Sequence, residues 1–557
     1  MKKFLFYSFI IFSSHSFAKS IPITIYHTND LHSHFAGVKV PDAKSGYKIR
    51  GGFDRLMTAI KNIRESKKNE IVIGVDAGDF FAGTIYSAIA PSKEPSFPEF
   101  EFLSDAQFDV VTLGNHEFDT RNQGLEIMLS KALKQNSKTS LLASNVKFKN
   151  EQSPLKRFFG NNSLIKETII KEYSLGTDKV KIAFLGILGP DACLASKATR
   201  GDVGFIGFND ERSKLDIKNL IKFINLKTAE LKKQNLADLV VISMHGGSDE
   251  AAEIVSGLEN TDLIIAGHTH QIERKIIEGK ILSQTGDYGQ NLGLLELKYD
   301  TETKKLSFIN TDNSSIVKVD ENIVADQLWK TKINMIKQKS FTLLGLNQQD
   351  TDKEIFTADR DYERRSEIQN ELGVMLTSRI LNELNESDLN IDLYFTSMGM
   401  IRDSIKKGVT YTVADIFELV GIGFDDKLVP GVNTVTFYLT KEEVKKVINF
   451  LELYSHVSKN FAPVFSDSVT FEINKYGIPF VNRIKNIKIN GVLLDDTDRL
   501  IKIATNQFVI NNLSTIETAT YGLIKIDPKN EKGESIRQYP KHQKEFELLI
   551  RSFEKKP

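Results

Sequence analysis

A chain of 557 residues is too long for one ordinary hydrophobic core, so two domains or slightly more are expected. Its 41% hydrophobic and 26% charged content is that of a soluble globular protein, and its 73 basic residues balance its 73 acidic ones. That balance excludes a global field able to gather nucleic acid or an acidic membrane, so any anionic substrate must be captured locally.

The first residues, MKKFLFYSFIIFSSHSFAKS, place two lysines ahead of an apolar run from Phe4 to Phe12 and close on Ser16-Phe17-Ala18. A basic start, an apolar stretch too short to span a bilayer and a small-x-small site read as a cleavable export signal over 1–18, cut after Ala18. No later stretch approaches the roughly 18–20 uninterrupted apolar residues of a transmembrane helix. The expectation is a periplasmic or secreted protein with no membrane anchor. Cys193, the single cysteine, sits in GPDACLAS and reads as a small core residue; its solitude excludes an intramolecular disulfide and any thiolate-rich metal site.

From Ile21 to about Lys318, short β-branched runs alternate with helical segments. The strands expected are IPITIYHT, NEIVIGVDAG, FDVVTLG, TSLLASNV, VKIAFLGIL, ADLVVISMHG, TDLIIAGHTH and part of 280–286; GGFDRLMTAIKNIRES and ERSKLDIKNLIKFINLKTAELKKQ read as helices. Apolar strands separated by amphipathic helices indicate an α/β layered architecture with covered sheet faces. Residues 320–345 carry apolar residues near helical spacing and end at Gly345, which reads as a connecting helix at a domain boundary. The remainder, 346–557, mixes a helix in RRSEIQNELGVMLTSRILNEL with β-rich stretches and reads as a second, α+β domain.

Polar clusters fall just after the strands of the first domain, where sites are built in open α/β sheets. They are HTNDLHSHF with Asp30 and His32, VDAGDFFAGT with Asp79, GNHEFD with Asn115, His116 and Asp119, SMHGG with His245, and AGHTH with His268 and His270. Each alone reads as a turn former or helix cap. Together they supply carboxylates, imidazoles and an amide oxygen with no thiolate, the inventory of two hard-to-borderline metal ions. His27 reads as a strand residue, His34 as a surface or supporting group, Asp76 as a turn carboxylate, and Glu117 and Phe118 as turning outward or packing.

In order and spacing, Asp30-Leu31-His32, Gly78-Asp79, Gly114 to Asp119, His245-Gly246 and Gly267 to His270 resemble the calcineurin-like metallophosphoesterases, and within them the exported 5'-nucleotidase and UDP-sugar hydrolase family. The resemblance implies a metallophosphoesterase α/β sandwich of four-layer type over 19–319, the connecting helix, and a specificity domain over 346–557. It implies two divalent ions, Zn, Mn or similar, one on Asp30, His32, Asp79 and His270, the other on Asp79, Asn115, His245 and His268. Asp79 would bridge ions about 3.5–4 Å apart, and a hydroxide shared between them would attack phosphorus. His116 would stabilise phosphoryl charge or assist the leaving group, with Asp119 orienting its ring.

In that family the C-terminal domain holds the base between aromatic rings and reads anionic groups with arginines. SMGMIRDSIKKG resembles its Gly-rich loop through Ser397, Gly399 and Arg402, with Met398 and Met400 replacing two glycines. Arg364 and Arg365, with Arg360 upstream, stand near the family's arginines. Phe424 in VGIGFDDKLVPG is the candidate stacking ring, and ATNQFVINNLSTI stands where the second ring is expected. The expected function is hydrolysis of a small phosphorylated substrate, a nucleotide or related compound. Two alternatives stay open: the same fold acting on a non-nucleotide phosphate or sulfur ester, and a catalytically idle binding protein.

Overall fold

The structure, a computed structural model, describes residues 20–135, 137–197, 199–310, 315–456, 462–479, 481–511 and 525–555. The export signal expected over 1–18 lies outside them. Two sheets face each other in the N-terminal part. The first runs Lys305–Phe308, Asn291–Asp300, Ser20–Thr28, Ile71–Asp76, Val110–Thr112, Ser140–Leu142 and Ile165–Lys166, with Ile316–Lys318 also paired to Asn291–Asp300. The second runs Ile272–Ile277, Lys280–Thr285, Leu263–Ala266, Leu239–His245, Asp178–Leu188 and Ile169–Leu175.

Strand periodicity decides what each sheet buries where. Ile21, Ile23 and Ile25 point between the sheets and meet Ile182, Phe184 and Val241 in one core, whereas Tyr26 points the other way, into the helical layer. On the second sheet Leu185 and Ile187 face outward, under Leu220 and Ile224 of helix Ile217–Lys233. Helix Phe53–Ser66 covers the first sheet with Phe53, Leu56, Met57 and Ile60. The result is a helix–sheet–sheet–helix sandwich, the four-layer α/β fold class expected from the sequence.

Several boundaries differ from the sequence reading, each for a local reason. TSLLASNV breaks after Leu142, and its end starts a separate strand, Val146–Phe148, paired with Val203–Phe205. The helix in ERSKLDIKNL begins only at Ile217, capped by the Asp216 carboxylate, because Lys214–Leu215 pairs with Phe208–Asn209. In RRSEIQNELG the helix starts at Glu371, since Gln369 adopts a left-handed φ of 54° that helical backbone cannot. Arg364 and Arg365 therefore lie in a loop.

Within 320–345 the helix spans Gln327–Leu343, capped by Asp326. Trp329, 1% exposed, wedges between Phe35 and Phe102, and Lys332 reaches Glu101 at 2.6 Å and Asp105 at 3.0 Å. These contacts fasten the helix to the N-terminal sandwich. Beyond it, a mixed sheet ordered Pro463–Phe465, Leu393–Ser397, Ile501–Asn506, Asn433–Leu439 and Lys541–Lys544 is flanked by helices Glu371–Asn385, Val413–Val420, Lys441–Ser455 and Glu545–Glu554. One apolar cluster runs unbroken from Phe81 and Phe97 of the sandwich to Phe417 and Phe424 of this C-terminal part.

Candidate binuclear metal centre

The turns that follow the central strands interlock through their backbones. Asp30 N donates to Gly78 O at 2.9 Å and His32 N to Asp79 O at 2.9 Å. Asp30, His32, Asp79, His268 and His270 all have positive φ, between 46° and 81°. That region is costly for side-chain-bearing residues, and it concentrates here because the surrounding bonds hold it. The glycines of the motifs answer to close approach: a Cβ on Gly114 would lie 2.2 Å from Asp79 Oδ1.

Asp79 occupies the middle of the arrangement. Its Oδ1 accepts from His116 N at 2.8 Å, and its Oδ2 lies 2.9 Å from His245 Nε2 and 3.8 Å from His32 Nε2. To one side stand Asp30, His32 and His270, with His270 Nε2 3.5 Å from Asp30 Oδ1. To the other stand His245 and His268, and Asn115 Oδ1 is 3.2 Å from His245 Nε2. In each of the triads Asp30–His32–His270 and Asp79–His245–His268, the ligand-type atoms all lie within 4.8 Å of one another. Carboxylates, imidazoles and one amide oxygen, all but His268 and His270 buried, fit a pair of divalent ions.

Carboxylates and imidazoles this close set one another's protonation. Burial disfavours the charged form of His245, but the Asp79 charge and hydrogen bond outweigh it and push the imidazole up to about 10. His270 rises to about 9 by the same contest, with Asp30 and Asp287 as its anions. Burial opposes ionisation of Asp79, yet the charges of His245 and His116 hold it well below the usual carboxylate range.

His116 points into the cavity beside this centre, its Nδ1 2.7 Å from Asp119 Oδ2 and its Nε2 3.9 Å from Asp79 Oδ2. The cavity, of about 430 Å³, lies between the sandwich and the C-terminal part. Arg364, Ser397, Gly399 and Arg402 line it together with Asn115, His116 and His268. Arg364 is held there by donating from its guanidinium to Ile401 O and Met398 O. Its neighbour Arg365 is exposed and does not line the cavity, as alternation along an extended loop dictates.

Phe424 also departs from its expected place. Its ring, 6% exposed, stacks on Phe81 rather than facing the main cavity. The ring the C-terminal part does present there is Phe508, within ATNQFVINNLSTI, where no second stacking residue was visible in the sequence. Cys193 is fully buried against Leu188 O, as a core residue.

Four supporting residues escaped sequence reasoning. Glu117, expected to turn outward or pack, is 1% exposed and accepts from the backbone N–H groups of Gly114, Asp79 and Phe81 at 2.5, 3.1 and 3.1 Å, a role the sequence did not suggest. Asn29 donates to Asp30 Oδ2 at 2.7 Å and accepts from Thr285 N at 2.9 Å. Asp287 and Asp191 lie 3.0 and 3.4 Å from ring nitrogens of His270 and His268. The acidic GNHE position carried a signal, since a carboxylate amid glycine-rich turns can gather backbone donors; Asn29, Asp191 and Asp287 carried none. Asp76 is the turn carboxylate expected, accepting from Thr28 Oγ1 and Gly78 N. His27 is a buried strand residue bonded to Ser283, and His34 is buried and stacked on Tyr288 at 3.8 Å.

The chain is similar to several known proteins. The trifunctional nucleotide phosphoesterase protein YfkN of Bacillus subtilis is 26% identical over 523 residues, covering 87% of this chain and 32% of its own length. The 5'-nucleotidase of Homo sapiens is 25% identical over 338 residues, covering 56% of this chain and 53% of its own. The chain thus spans about a third to a half of the length of these curated relatives. A 5'-nucleotidase precursor from Thermus thermophilus has the same fold, with a TM-score of 0.71 at 18% identity over 96% of both chains. The calcineurin-like phosphoesterase family model matches residues 23–272, so the chain carries a calcineurin-like phosphoesterase domain over the stretch that supplies every candidate ligand above.

Proposed function

We propose that the protein is an exported metal-dependent hydrolase of the 5'-nucleotidase type, cleaving phosphoester bonds of nucleotides or related compounds. Residues 19–319 form its catalytic domain, 320–345 the connecting helix and 346–557 the part that reads the substrate. The observation that carries the reading is the Asp79 carboxylate, which belongs to the triad with His245 and His268 and also lies 3.8 Å from His32 of the other triad, beside a cavity that also holds two arginines.

Asp30, His32, Asp79 and His270 would hold one divalent ion, and Asp79, Asn115, His245 and His268 the other. When bound, such a pair supplies Lewis acidity and a water activated near neutral pH. The chain supplies the rest. With the Nδ1 proton of His116 engaged by Asp119, Nε2 is left to meet phosphoryl oxygens or the leaving group. Arg402 and Arg364 place positive charge on the substrate's anionic side, in the same cavity that His116 lines. The basic–apolar–small pattern of the first residues supports export. Among the described residues no helix is long and apolar enough to cross a membrane.

A second reading, a phosphate or sulfur ester without a nucleobase, is favoured by one observation: Phe424 is engaged with Phe81. A substrate panel decides between them. The mature protein with Mn²⁺ or Zn²⁺ is offered nucleoside monophosphates, a UDP-sugar, a 2',3'-cyclic nucleotide and an aryl phosphate, and product release is followed. Preference for a nucleotide is expected. Turnover of the aryl phosphate alone selects the second reading, and turnover of nothing sinks both.

A further inference from the structure

His268 and His270 flank one threonine, and each has a carboxylate at one ring nitrogen. His270 Nδ1 lies 3.0 Å from Asp287 Oδ2, and His268 Nε2 lies 3.4 Å from Asp191 Oδ2. Asp287 is 22% exposed, whereas Asp191 is 45% exposed on the cavity wall. Asp191 belongs to no ligand triad, and its short helix, Pro190–Ala195, comes from a different strand end than His268.

The segment bearing Asp191 is fixed to the centre from behind. Strands Asp178–Leu188 and Leu239–His245 run parallel, with Leu188 opposite His245, and Gly189 N donates to His245 O at 2.7 Å. Asp191 N then donates to Glu250 Oε1 at 3.0 Å. Glu250 is seated against two glycines: a Cβ on Gly189 or Gly246 would come within 2.5 or 2.9 Å of its Oε2. Nothing in a solubilising turn requires a buried carboxyl to be threaded through two glycines to reach the amide of an exposed aspartate.

We propose that Asp191 is a positioning residue for the second metal ion, accepting the Nε2 proton of His268 so that Nδ1 carries the lone pair offered to the ion, and that Glu250 fixes Asp191 in place. The inference rests on the metal-centre reading above. A carboxylate behind a ligating imidazole fixes its tautomer and makes it a stronger ligand, and loss of such a partner typically lowers metal affinity roughly 10–100-fold. Both carboxylates together give each histidine of the GHTH motif its own orienting anion. The one serving His268 also faces the space where substrate binds, so occupancy of the cavity and affinity for this ion are coupled through Asp191.

The test is calorimetric titration of chelator-stripped, full-length mature protein with Mn²⁺, compared with Asp191→Asn, Asp191→Glu and Glu250→Gln. Wild type is expected to take two ions. In Asp191→Asn one step weakens roughly 10–100-fold while the other holds within about twofold, and Asp191→Glu recovers much of the loss. Glu250→Gln weakens the same step to a smaller degree. The melting temperature of stripped Asp191→Asn stays at the wild-type value, since the side chain is half exposed. Unchanged affinity in Asp191→Asn overturns the proposal, as does equal weakening of both steps with a lowered melting temperature, the mark of a merely structural role. Wild type that takes up no second ion overturns the metal-centre reading itself, which is seen before any variant is compared, and this inference falls with it.

Discussion

Phe424 lies face to face with Phe81, their ring centroids 5.5 Å apart and their planes 8° from parallel. The pair joins the C-terminal part to the turn that follows Asp79, so a side chain placed to read a nucleobase instead closes the apolar seam between the two parts of the chain. Phe508 is the ring left on the cavity wall.

Truncating these two rings should therefore have opposite consequences. Phe424→Ala is expected to lower stability by about 3–5 kcal/mol, the usual range for a buried phenylalanine, while leaving the preference for nucleotide over aryl phosphate within about twofold. Phe508→Ala is expected to cost about 1–3 kcal/mol of nucleotide binding, one stacked ring, and less melting temperature than Phe424→Ala, since its ring is only partly buried against Met400, Ile422 and Val432. Thermal melts and kcat/KM on the two substrate types check both. Collapse of nucleotide preference in Phe424→Ala would return the stacking role to that residue.

His116 and Asp119 should separate metal binding from chemistry. His116→Ala is expected to keep both ions by elemental analysis and to lose roughly 10²–10⁴-fold in rate, the span of a positioned acid–base group. Asp119→Asn keeps the shape but removes the negative charge 2.7 Å from Nδ1 and lets an amide donor face the ring, which loosens its hold on the tautomer, so it should lose rate without losing metal. A metal-free His116→Ala would make the residue a ligand instead. Chelator treatment of wild type should abolish turnover, and Mn²⁺ or Zn²⁺ should restore it.

Glu117 predicts a different failure. It satisfies three buried backbone N–H groups in the two turns that present Asp79 and Asn115. Glu117→Ala strands all three, at about 1–3 kcal/mol each. Expected are a lower melting temperature and loss of bound metal together, because the turn carrying the ligands loses its clamp. A variant that melts early but holds both ions would confine Glu117 to stability.

What the sequence made legible follows from which interactions are local. Short β-branched runs announced the central strands, and polar clusters at their ends announced Asp30, Asp79, Asn115 and His245, although their convergence depends on the fold. The partners of those residues were not legible, because Asp191 and Asp287 meet His268 and His270 only through the sheet order. Arg364 and Arg365 were indistinguishable as neighbours in a string. The start of the helix at Glu371, set by one left-handed residue, decides that only the first faces the cavity. Phe424 misled for the same reason, since its companion Phe81 is 343 positions away and no local pattern pairs them.

Away from the centre, Glu545 predicts how stability depends on pH. It is 2% exposed, at the start of helix Glu545–Glu554, and accepts from Tyr394 Oη and from Asn506 Nδ2. Burial pushes its carboxyl up to about 7, against the pull of those two donors. An unfolded glutamate titrates near about 4.3, so between the two values the folded chain retains a proton that the unfolded chain has released. The stability this contributes is fully present below about pH 4 and is lost as pH rises through 7; its ceiling is about 4 kcal/mol. Glu545→Gln is close to the same size, keeps the two bonds in reach and cannot ionise. Metal-free wild type should therefore lose melting temperature between pH 5 and pH 8, and Glu545→Gln should lose less over the same interval. Glu99, pushed to about 7 by burial, keeps part of the slope in both proteins. Parallel melting curves for the two proteins across that range would show that the Glu545 carboxyl is already ionised in the folded state, with the Tyr394 and Asn506 donors outweighing its burial.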